Sequence, residues 1–182
     1  MAHAPDTNPF STLGLDPRFD LEASVIERAY LIKLSGAHPD TGGSWQDGPD
    51  AATLNLARMT LLDHEQRAVA LLDVHNGPNA SKCKDLPEGF LMEMMTRREE
   101  IEEQITDSNT GGEVSRSNWE AWARDERTQY STVVGALFDS FNDLPSSEIL
   151  TKIRVQLNAW RYIERLIEQL DPEYNPADAD FR

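Results

Sequence analysis

Apolar residues recur along most of the chain at spacings of three and four, and no segment sustains the period-two alternation that marks a strand. The pattern predicts an all-α protein. Residues 8–15 read as a short helix with Pro9 near its start and Gly14 at its end, and Phe10 and Leu13 share a face. A turn over 16–20 follows, with Asp20 placed to cap a helix from 21 to about 36. Leu21, Val25, Ile26, Ala29, Tyr30 and Leu34 give that helix one apolar face. His38, Pro39 and Asp40 come just beyond it. Proline lacks an N–H and pushes its predecessor toward extended geometry, so the helix stops there and the His38 imidazole and Asp40 carboxylate are held on a turn. Residues 41–50 are almost all turn formers, which predicts an exposed loop. Asp50 is a second N-cap, for one long helix to about 74 lined by Leu54, Leu61, Leu62, Val69 and Leu72 and stopped at 75–78. Two antiparallel helices with a short one on top make a complete small domain, residues 1–77.

Residues 78–86 form a polar connector, and 87–182 hold a second all-helical region. In its first helix Phe90, Met94, Ile101 and Ile105 make one stripe, while Leu91, Met92 and Met95 turn away from it. One stripe suffices to dock a helix on its own domain. The second either packs against the N-terminal domain or is a binding surface, a use that suits the adaptable thioether of Met. A loop over 106–117 leads to a helix from about 118 to 141, with Trp119, Trp122, Tyr130, Val133, Leu137 and Phe141 on one face, read as core. Leu144, Pro145 and Ser146 break it, and Ser146 caps a last helix to about 170. Ile149, Ile153, Leu157, Trp160 and Ile167 form its core stripe, with a weaker stripe of Val155, Tyr162 and Leu166. Residues 171–182, with two prolines and four acids, read as a frayed tail. The second half is therefore a three-helix bundle.

Charge narrows the choice of partner. The 182 residues include 17 basic and 32 acidic ones, a net charge of -15, which disfavours unaided binding to nucleic acid or an anionic membrane and favours a basic protein. No apolar run reaches membrane-spanning length, and residues 1–8 resemble neither a secretory nor a transit signal, so a cytoplasmic location is expected. Cys83 is the only cysteine, which excludes an intrachain disulfide and any zinc site built from two cysteines. There is no phosphate-binding glycine loop followed by Lys, no paired-His metal motif and no nucleophile elbow. His3, His64 and His75 are expected to be solvated, and Glu99, Glu100, Glu102 and Glu103 read as a solvated helix face. His38 and Asp40 have no accompanying nucleophile or oxyanion donor, so they are read as a contact motif on a protein that is not an enzyme and carries no cofactor.

A short helix with Leu13-Gly14-Leu15, a helix carrying Arg28-Ala29-Tyr30, then His38-Pro39-Asp40 and a third helix resembles the J-domain. That resemblance implies engagement of a DnaK-class chaperone, and stimulation of its ATP hydrolysis, by His38, Pro39 and Asp40 with Arg28 and Lys33 on the preceding helix. Residues 17–21, 52–55 and 67–72, and Phe90-Leu91-Met92-Glu93 followed by Arg98-Glu99-Glu100, are similar to the HscB type of iron-sulfur co-chaperone. This closer likeness covers nearly the whole chain. It implies an HscA-type partner and a cluster-scaffold protein of the IscU kind, received on Leu91, Met92, Met95, Arg98, Glu99 and Val155. The chain departs from the type in its thinly charged 33–37 stretch, in Thr96 where an acid is usual and in Val155 where phenylalanine is common. The rival readings are a J-protein with a different client, a J-like interaction protein without stimulating activity, and a hydrolase using His38 and Asp40.

Overall fold

The computed structural model describes residues 8–36, 49–106 and 112–170, with the side chains of 105, 106, 112 and 113 left aside. Seven helices occur among them: α1 (Pro9–Leu13), α2 (Ala23–Gly36), α3 (Ala51–Leu62), α4 (His64–Val74), α5 (Phe90–Thr106), α6 (Gly112–Asp143) and α7 (Ser147–Leu170). The fold is all-helical, and the chain divides into two compact units between Asn76 and Gly77.

In the first unit Asn8 caps α1 by accepting from the Phe10 N–H at 2.9 Å, and Gly14 ends it at φ +71°, a left-handed conformation that costs glycine little. The backbone N–H of Leu15 then closes on the Phe10 carbonyl at 2.8 Å. The α2 helix begins two residues later than the pattern predicts. The Glu22 carbonyl accepts from Val25 and Ile26, while the Asp20 carboxylate pairs with Arg18 at 3.6 Å and caps nothing. Asp50 does cap α3, taking the Thr53 N–H at 2.8 Å. The expected single helix from 50 to 74 is two helices. Asp63 leaves helical geometry and accepts from the Gln66 backbone at 3.1 Å and its side-chain amide at 3.0 Å, restarting the chain as α4. Phe10, Leu13, Leu21, Ile26, Leu54, Leu61, Leu71 and Leu72 are buried in this unit. Across the α2–α3 pair the Arg58 Nε lies 2.9 and 2.8 Å from the Glu27 carboxylate oxygens, and its guanidinium sits over the Tyr30 ring.

The second unit is a three-helix bundle in which α6 packs along both α5 and α7. Phe90, Met94 and Ile101 of α5 enter a core with Ala123 of α6 and Ala159, Ile163, Leu166, Ile167 and Leu170 of α7. Leu166, expected on a weaker outer stripe, is thus a core residue. On α6 the buried positions are Ala123, Arg127, Val134 and Phe138; Trp119, Trp122 and Tyr130 flank the core and Val133 is exposed. The core-facing line is rotated from the one drawn through the large aromatics, because small Ala123 and the aliphatic stem of an arginine occupy positions a hydropathy pattern passes over. The helix also starts at Gly112, ahead of the expected 118, through residues too polar to show a period. Ser146 caps α7 by accepting from the Glu148 N–H at 3.2 Å. Among the described residues no helix is long and apolar enough to cross a membrane.

Candidate functional site

Successive residues of α5 are about 100° apart around the helix axis, so once Phe90 and Met94 face the core their neighbours are turned outward. Leu91, Met92 and Met95 are 53%, 77% and 59% exposed. Arg98 and Glu99 are exposed on the same helix. Thr96 bonds back to the Met92 carbonyl at 3.2 Å, which occupies its hydroxyl within the helix.

Two contacts set α5 beside α7. The Phe90 ring meets Tyr162 edge-on at 5.7 Å, and Arg98 Nη2 donates to Gln169 Oε1 at 2.9 Å. The pairs are eight residues apart on α5 and seven on α7, about 12 and 10.5 Å of rise, so the helices run alongside in the same direction. Leu91, Met95 and Arg98 form one i, i+4, i+7 stripe, and Val155, Tyr162 and Gln169 an i, i+7, i+14 stripe. The Arg98–Gln169 bond joins the two into a single surface. Val155 lies two turns before Tyr162, at the level where Asn158 holds the connector by donating to the carbonyls of Cys83 and Asp85, each at 3.0 Å. It is half-buried and lines a shallow groove of about 330 Å³ with Thr151 and Lys152. Val155 therefore stands at the end of the surface, and Tyr162, 41% exposed, lies nearer the Leu91 cluster.

In the first unit α2 ends at Gly36; His38, Pro39 and Asp40 lie outside the described residues. Arg28 and Lys33 are both exposed, but five residues set them about 140° apart on the helix. Lys33 leans over the end of α1, where its Cε and Nζ would be 3.3 and 3.5 Å from a β-carbon on Gly14. Its ammonium is thereby near the negative pole of that short helix. The two cations do not share a face.

His64 and His75 are less solvated than expected, and His3 lies outside the described residues. His64 is half-buried with its ring edge-on to Phe19 at 6.1 Å, and His75 is half-buried, which lowers its pKa by desolvation. Among the described residues no group of three or more His, Cys, Asp or Glu is placed to hold a metal ion.

No protein-family model matches the chain. Among curated proteins, the co-chaperone protein HscB homolog of Burkholderia mallei is 30% identical over 168 residues, spanning 86% of this chain and 94% of that one. The chain belongs to the HscB co-chaperone family. The HscB homolog of Bordetella petrii is 27% identical over 172 residues, spanning 88% of this chain and 92% of that one. The fold agrees with solved HscB structures. Chaperone HscB from Vibrio cholerae superposes with a TM-score of 0.60 at 24% identity, over 90% of this chain and 99% of that chain. Human co-chaperone HscB gives 0.60 at 22% identity, over 93% of this chain and 84% of that chain. The HscB likeness read from local motifs thus extends through both helical units. The outward residues Leu91, Met92 and Met95 belong to an HscB-family helix whose inward residues complete the bundle.

Proposed function

We propose that the chain is a cytoplasmic co-chaperone that brings an iron-sulfur cluster scaffold protein to a DnaK/HscA-type ATPase. In this reading residues 1–77 form the J-domain, 78–86 the linker and 87–182 the client-binding bundle. His38, Pro39 and Asp40, with Arg28 and Lys33, engage the ATPase and bias its conformation toward hydrolysis and closure on substrate. Leu91, Met92 and Met95, with Arg98, Glu99 and Val155, hold the scaffold. The cluster is cargo, and the chain itself performs no chemistry on ATP. Carrying two modest sites on one chain raises the effective concentration of each partner at the other.

The observation that supports this most directly is the division of labour on α5. Phe90, Met94 and Ile101 satisfy the bundle, so Leu91, Met92 and Met95 are left to a partner. The test is the steady-state ATPase rate of an HscA or DnaK-type chaperone, with this protein and an IscU-type scaffold added separately and together, against the His38→Gln variant. Synergy that needs both partners and His38 is the expected result. Stimulation indifferent to the scaffold points to a J-protein with another client, and no stimulation at all overturns the co-chaperone reading.

A further inference from the structure

We infer that Tyr162 is a contact residue for the scaffold protein, beside the α5 cluster and on the same helix as Val155; this rests on the proposed use of the α5 cluster. The α5 residues alone form a narrow ridge, whereas a stable protein contact generally buries about 800 Å² on each partner. Extending that ridge needs exposed apolar surface on an adjoining element. The structure supplies one in register. The Tyr162 ring lies against Phe90, which immediately precedes Leu91, and it retains 41% of its surface. The Arg98–Gln169 bond places the Val155, Tyr162, Gln169 stripe beside the Leu91, Met95, Arg98 stripe, so Tyr162 widens the α5 apolar cluster onto α7, with Val155 two turns further along. A tyrosine suits the place, since it offers a large rigid apolar face at low entropic cost and is enriched among residues that dominate binding energy.

The ring, not the hydroxyl, makes the contact. Its packing on Phe90 fixes the ring's orientation, so the face presented outward is preformed. Scaffold affinity by isothermal titration is expected to fall about tenfold for Tyr162→Ala, equivalent to about 1.4 kcal/mol, and to stay within about twofold for Tyr162→Phe. Equal loss in both variants, or no loss in Tyr162→Ala, overturns the assignment. The Leu91→Ser, Met92→Ser double variant separates the two ideas. If it loses binding while Tyr162→Ala keeps it, the α5 site stands and the Tyr162 contact falls. If the unmodified protein does not bind the scaffold, both fall. Because Tyr162→Ala also removes a contact to Phe90, a measurement on the intact protein accompanies it. With 3-fluorotyrosine incorporated, the ¹⁹F resonance assigned by its absence in Tyr162→Phe is expected to shift on scaffold addition; an unmoved resonance overturns the inference.

Discussion

Arg67 Nη1 donates to the Leu21 carbonyl at 2.8 Å, tying α4 to the segment that leads into α2. The guanidinium also lies over the Phe19 ring, 5.6 Å from its centroid, and the residue is only 2% exposed. Its Nε has no hydrogen-bond partner. Burial pushes its pKa down to about 10, against the opposing pull of Asp63 and Asp20, so at neutral pH it is a buried cation held by one carbonyl, one ring and two nearby acids.

Removing such a cation relieves its desolvation but leaves the Leu21 carbonyl unpaired and a cavity behind. The orphaned carbonyl and lost packing are expected to win. Arg67→Ala should destabilise the first unit by about 2–4 kcal/mol, with Arg67→Met intermediate because it refills the volume. Thermal unfolding followed by circular dichroism checks the order. Both folded and unfolded states hold the proton below pH 9, so the deficit should not vary between pH 6 and 9. Above about 10 the folded state releases its proton first, and the Arg67 contribution to stability rises with pH toward the ordinary arginine value. A deficit that grows steeply between pH 6 and 9 would contradict this account.

Asp63 separates α3 from α4 by a cap, not by a proline or glycine. Asp63→Ala removes the acceptor for the Gln66 N–H and is expected to cost about 1 kcal/mol, within the range measured for caps. Asp63→Asn should recover most of it, since the amide oxygen can still accept. Urea denaturation of the two variants measures the difference; equal stability of Ala and Asn would show that the cap bond is not what restarts the helix.

The same junction shows what the pattern of residues conveys and what it conceals. The helices α2 and α7 were legible with their ends nearly right, and Asp50 and Ser146 cap where turn chemistry places them. Asp63 was hidden because the apolar rhythm continues across it, from Leu61 to Ala68 and Leu72, and a lone acid inside a periodic run reads as a solvated position. Arg67, Arg127 and Arg154 were hidden for a related reason: hydropathy assigns the whole side chain to water, while the structure buries all three almost completely. On the candidate site, the outward turn of Leu91, Met92 and Met95 followed from the wheel alone. Tyr162 sat on a stripe already visible in the sequence, but its place beside that cluster depends on the α5–α7 register, which only tertiary contacts define.

Adjacent residues of α5 should respond in opposite ways. Leu91→Ser with Met92→Ser is expected to change stability by no more than about 0.5 kcal/mol per site while abolishing scaffold retention, because both side chains are exposed. Phe90→Ala, one position earlier, should cost about 3–5 kcal/mol by opening the core between α5 and α7. Melting temperatures paired with pull-down of an IscU-type scaffold separate the two effects. A double variant that melts well below the parent would show that these residues serve the bundle after all.

Glu126 provides a pH test at the α5–α6 seam. Its pKa is raised, first by burial and then by the Glu93 carboxylate, with Arg97 opposing and Asp125 adding a smaller push. The Arg97 guanidinium is already shared with Glu100 at 3.2 Å and with the Trp122 ring, which limits how far it offsets the two acids. Tyr130 nearby is pushed up to about 12 by burial and by the same Glu126 and Glu93 charges. A carboxyl whose folded pKa is raised holds its proton longer in the folded state. Its contribution to stability is therefore fully present below the ordinary glutamate value and is lost as pH rises through the folded one. Glu126→Gln keeps the shape without the charge, so the second unit should melt higher than the parent at pH 7.5, and the gain should shrink as pH is lowered toward 4.5. Differential scanning calorimetry across that range reads both. A gain that persists unchanged at pH 4.5 would mean that the amide stabilises by a new hydrogen bond, with charge burial playing no part.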